Sequence, residues 1–128
     1  MMLNKMIGNN AILETAMQGQ QVRKDVILNN IANVDTPKFK KSAVYFEEAL
    51  KTSIRRSNAR GVGQPVDLSG VKPTVRQINT ALKYRLDGNN VDIEAEMLDL
   101  YETSVRYDVK ATSIMNNFKR INTVLSAR

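Results

Sequence analysis

The 128-residue chain contains no cysteine, no histidine and no tryptophan. Without cysteine there are no disulfides, no thiolate nucleophiles and no Cys-ligated zinc; without histidine every imidazole acid–base scheme falls away. Carboxylates and lysines remain, but no spacing gathers them into a catalytic motif. The sequence therefore reads as a non-enzyme with no cofactor and no metal. No run approaches the ~18 apolar residues of a bilayer-spanning helix, which argues against direct membrane insertion. The opening MMLNKMIGNNAILETAM lacks the apolar core and small-residue cleavage site of a secretory signal. A route of export without a cleaved signal peptide is expected.

What is present is unevenly distributed. Residues 1–35 balance to zero charge, residues 36–86 carry eleven Lys or Arg against three acids, and residues 87–128 sum to −2. Glycine and proline concentrate in NARGVGQPVDLSGVKP, residues 58–73, which reads as loop.

The clearest pattern lies at the C-terminal end. Alternate steps of three and four from Met97 reach Leu100, Ser104, Tyr107, Ala111, Ile114, Phe118, Ile121 and Leu125. This heptad spacing keeps one stripe of a helix against a partner helix. A second stripe of Leu98, Tyr101, Val105 and Met115 runs beside it, so the apolar face is wider than a two-helix seam needs. Asp92 is placed to cap this helix, with Glu94, Glu96 and Asp99 in its first turns. The N-terminal end repeats the pattern more weakly, through Leu13, Met17, Ile27 and Ile31, with polar Asn10, Gln20 and Lys24 at seam positions. Gly8 and Gly19 weaken that helix, and its first eight or nine residues are expected to fray. It must end near Asp35, because Pro37 cannot continue it.

These patterns predict a mainly α protein. Long N-terminal and C-terminal helices pair as an antiparallel, coiled-coil-like hairpin around a loop-rich middle segment. That segment has a short helix over 43–57 and room for one or two short strands in 74–86. The boundaries fall at 1–36, 37–90 and 91–128. A two-helix hairpin leaves apolar surface over. Either the middle segment covers it, or other subunits do.

Two segments invite other functions. The basic middle, with Phe39 and Tyr45 available for stacking, is the composition of a module that binds nucleic acid or an acidic protein. No nucleic-acid fold signature accompanies it. DGNNVDIEAE at 87–96 starts like a calcium loop, but Val91, Asp92 and Leu98 stand where an oxygen ligand, a glycine and a glutamate belong. A turn into a capped helix explains it.

Two motifs mark the ends of the middle segment: NNIANVDTP, residues 29–37, and LDGNNVDIEAEM, residues 86–97. Their order and spacing resemble the flagellar axial proteins, the rod and hook components, and the short length is closest to the proximal rod. The resemblance implies a structural subunit whose terminal helices pair inside a tubular drive shaft around the export channel. It would lie in the periplasmic part of the basal body, transmitting torque for motility. Implied partners are other rod proteins, copies of the chain, base-ring and rod adaptor proteins, and the flagellar export apparatus, with no nucleic acid. Leu13, Met17, Ile27, Ile31, Leu100, Tyr107, Ile114, Phe118 and Ile121 are then the expected subunit contacts. Asn29, Asn30, Asn33, Thr36, Pro37, Asp87, Gly88, Asn89 and Asp92 form the expected register and turn motif, with the asparagines meeting a neighbour in one register. The family usually has Thr-Pro-Gly-Tyr-Lys where this chain has Thr36-Pro37-Lys38-Phe39-Lys40. Lys38 carries a Cβ penalty at positive φ, which argues against a left-handed turn there.

Overall fold

A computed structural model describes residues 2–61, 63–79 and 85–127. Helix α1 (Met2–Ala32) and helix α3 (Ile93–Ser126) are the two long elements, about 47 and 51 Å at 1.5 Å per residue. They pack against each other as an antiparallel hairpin. Asn117 donates to Asn10 near one end, and Asn30 donates to Glu96 near the other. The numbers in these two pairs add to 127 and 126, which fixes the register. It sets Leu13 across from Ile114, Gln20 across from Tyr107 and Ile27 across from Leu100.

α1 begins at Met2, including the first turns that composition marks for fraying. It stops at Ala32, three residues before Asp35, where Asn33 N–H is shared between the carbonyls of Asn29 and Asn30. α3 starts as its sequence dictates. The Asp92 carboxylate accepts from the amides of Glu94 and Ala95 at 3.0 and 3.3 Å, satisfying two of the unpaired donors at a helix start.

Between the helices lie strand β1 (Ser42–Tyr45), helix α2 (Glu47–Arg60) and strand β2 (Thr74–Gln77). The strands form a two-stranded antiparallel sheet with Val44 opposite Val75. The helix expected over 43–57 is thus corrected: its first three residues are strand, and the helix runs on to Arg60. The reason is tertiary. Arg23 and Asn30 on α1 take the outer backbone groups of β1, and β2 takes the inner ones, so Val44 and its neighbours have better partners extended than coiled. The second strand lies within the stretch expected to hold one. Lys83 and Tyr84, part of the basic middle and of the strand expectation, lie outside the described residues. No described helix is long and apolar enough to cross a membrane.

Candidate assembly interface

The most deeply buried side chains are asparagines: Asn30, Asn89 and Asn90, at 1%, 0% and 2% exposed. Each uses both ends of its carboxamide. Asn30 sits in the last turns of α1. Its Nδ2 donates to Ser42 O and to the Glu96 carboxylate, both at 2.9 Å, and its Oδ1 accepts from Ser42 N at 3.0 Å. The side chain therefore pairs with β1 as a neighbouring strand does, while holding α3 in register. Glu96 is buried as well, and Lys41 Nζ reaches its other oxygen at 3.3 Å.

Asn89 closes the end of α1. Its Nδ2 lies 2.9–3.0 Å from the carbonyls of Asn33, Val34 and Thr36, and its Oδ1 accepts from Val91 N. Those carbonyls belong to the turn just past α1, so the side chain ties the chain down where helical bonding has ended. Asn90 sits between the strands, accepting from Lys41 N at 2.7 Å and donating to Ile78 O at 2.8 Å. The two sequence motifs are thus bonded to each other inside one subunit.

The turn from α1 into the middle segment corrects the expectation about Lys38. Its φ is +62°, and Phe39 N–H donates to Thr36 O across the turn. Pro37 followed by a positive φ is the pattern of a type II turn. The left-handed geometry survives without glycine because Lys38 N–H is held by Asp87 O at 3.0 Å and Lys40 Nζ donates to Gly88 O. Gly88, at φ +81°, faces this turn.

A third contact anchors the sheet to mid-α1. A Cβ at Gly19 would lie well under 3.0 Å from three ring carbons of Phe46, so the glycine that weakens the helix makes room for a buried aromatic. Arg23 lies over the same ring at 5.2 Å, donates to Val44 O at 2.9 Å and pairs with Glu47. Burial pushes the Glu47 carboxyl up, but the Arg23 hydrogen bond and charge, together with bonds from the Glu47 and Phe46 amides, hold the group below its ordinary value. Desolvation, followed by the charge of Arg106, pulls the Lys110 amine down.

Among the residues expected at contacts, Ile27 is buried within the hairpin. Leu13, Met17, Ile31, Leu100, Tyr107, Ile114 and Ile121 are half-buried, and Phe118 is 52% exposed. Of the turn motif, Asn30 and Asn89 are buried, and Asn33, Asp87 and Gly88 are half-buried. Asn29, Thr36, Pro37 and Asp92 are exposed. Asn33 donates only to its own helix, to Asn29 O at 2.8 Å. The carboxamide of Asn30 is spent inside the subunit, which leaves a neighbour nothing of it to touch.

The second apolar stripe of α3 has no cover. Leu98, Tyr101, Val105 and Met115 are all exposed, Tyr101 by 71%. A chain whose apolar stripe stays open, on a hairpin locked by paired Asn motifs, is built for assembly. The family model of flagella basal body rod proteins matches residues 12–40. Flagellar basal body rod protein FlgB of Borrelia hermsii is 36% identical over 116 residues, covering 81% of this chain and 85% of that protein. The chain belongs to the FlgB family of flagellar basal-body rod proteins. FlgB of Bacillus subtilis (strain 168) is 31% identical over 89% of this chain and 90% of its own length, and FlgB of Yersinia enterocolitica is 28% identical over 97% and 98%. Membership in the FlgB family makes the chain a structural subunit of the flagellum that associates with other rod components. The reading as a nucleic-acid or acidic-protein module gains no support.

Sequence reasoning missed Asn90, Glu96, Arg23, Phe46 and the Asn10–Asn117 pair. The doubled asparagines at 29–30 and 89–90 were the available signal. Nothing local marks Glu96 as buried, since its partners Asn30 and Lys41 lie 66 and 55 residues away.

Proposed function

We propose that the chain is a subunit of the proximal rod, placed in the periplasm, with α1 and α3 forming the inner wall around the export channel. Residues 1–36 and 91–128 make that inner layer, and residues 37–90 face outward. Neighbours along the shaft are copies of the chain, other rod proteins and the adaptors that join the rod to the base ring; the export apparatus delivers the subunit. Torque passes through the packed helices.

One observation carries this reading: the exposed stripe of Leu98, Tyr101, Val105 and Met115 on the face of α3 turned away from α1. Each large apolar side chain fully buried on assembly contributes about 1.5–3 kcal/mol, more than an exposed ion pair at about 0–1 kcal/mol.

The test is a pair of substitutions on the stripe, Leu98→Glu and Tyr101→Glu, in a motile host lacking its own copy. Both positions are exposed, so the folded subunit is retained. The expected result is a stable, exported protein absent from isolated basal bodies, in non-swimming cells. Normal rods and normal swimming with both substitutions present overturn the reading.

A further inference from the structure

We infer that copies of this chain associate head to tail, with the acidic–apolar flank of α3 on one subunit seated in the basic groove at the open end of the hairpin on the next. The inference deepens the rod reading and rests on it. Steps of four and three from Glu94 reach Leu98, Tyr101, Val105 and Asp108, so one exposed stripe carries three large apolar side chains between two carboxylates. No basic residue falls on those positions, and neither carboxylate has an ion-pair partner among the described residues.

The groove has the opposite character. At the open end, α1 and α3 enclose about 630 Å³ lined by Lys5, Met6, Asn117, Lys119, Arg120 and Val124, among others. Its three cations likewise have no carboxylate partner among the described residues, and Met6 and Val124 supply apolar floor and rim. Two stripes face to face would oppose Glu94 and Asp108 to themselves, as would two grooves their cations. Stripe into groove joins unlike charges and buries apolar surface at once. Leu98 and Arg120 are separated by 22 residues of α3, about 33 Å. A contact between two different patches, repeated in one sense from each subunit to the next, is heterologous and builds a ring or an open series.

The experiment uses the full chain and sedimentation equilibrium at low and high salt. Wild-type protein is expected to self-associate, more than tenfold more weakly at high salt. Variant one, E94K/D108K, and variant two, K119E/R120E, are each expected to lose association by tenfold or more while keeping wild-type helicity by circular dichroism. Mixed one to one, they restore it, because the basic stripe of one meets the acidic groove of the other. A wild-type chain that stays monomeric at both salt concentrations, variants that associate as wild type does, or a mixture that fails to associate overturns the inference. Incorporation of wild-type chain into basal bodies, scored separately, keeps that failure distinct from failure of the rod reading.

Discussion

Replacing Asn30 with alanine removes three hydrogen bonds from one buried point. Two join it to the backbone of Ser42 and one to the buried Glu96 carboxylate. Neutral bonds of this kind contribute roughly 1 kcal/mol each and bonds to a charged group roughly 1.5–3 kcal/mol. The loss is therefore about 3–5 kcal/mol, with Glu96 left holding only Lys41. Against the roughly 5–15 kcal/mol by which a folded domain is stable, that is a severe defect. Urea unfolding followed by helical circular dichroism measures it. For a denaturant slope of roughly 1–3 kcal/mol/M, the midpoint should fall by about 2 M with the slope unchanged. Asn29→Ala is the control. Its side chain is exposed and makes no hydrogen bond among the described residues, so it should shift stability by less than about 0.5 kcal/mol. Equal effects from the two substitutions, or an Asn30→Ala loss under 1 kcal/mol on that scale, would refute the claim that this carboxamide sets the register.

Gly19→Ala should destabilise by about 1–3 kcal/mol through overlap with Phe46; a double-mutant cycle with Phe46→Ala should show strong coupling in thermal melts. Lys38→Gly should stabilise by about 1 kcal/mol, because it relieves a side chain held at φ +62°, read from the urea midpoint. Gln20 Oε1 is buried without a partner among the described residues, so Gln20→Met should raise stability by about 1 kcal/mol in the same assay. Glu47 is held below its ordinary value of 4.5. Its ionised form favours the fold, so its contribution is present above about pH 4.5 and is lost as pH falls through the lower folded value. Glu47→Gln should flatten that part of the acid-unfolding curve.

The two long helices were legible because their apolar residues recur with a helical period over more than eight turns, and Asp92 announces where α3 begins. The turn at Pro37 was legible for the same local reason. β1 was not: Ser42–Tyr45 becomes strand through backbone partners supplied by Asn30 and Arg23, 12 and 21 residues away. The seam itself was placed slightly off. Met97, Ser104 and Phe118 fit the heptad count, yet the buried positions of α3 include Glu96 and Thr103. Polarity misled the count, since a charged residue inside a seam is intelligible only once Asn30 and Lys41 are seen around it. Lys38 failed in the opposite sense. Its intrinsic preference is real, but contacts from Asp87 and Gly88 overrule it.

The hairpin is fastened very unequally along its length. Where α1 meets the middle segment, Asn30, Asn89 and Asn90 stitch four separate stretches of chain together. Toward the termini, among the described residues, a single side-chain hydrogen bond, Asn117 to Asn10, spans the gap. Under strain the arms must therefore part from their tips, like tweezers, while the elbow stays shut until several short bonds give way together.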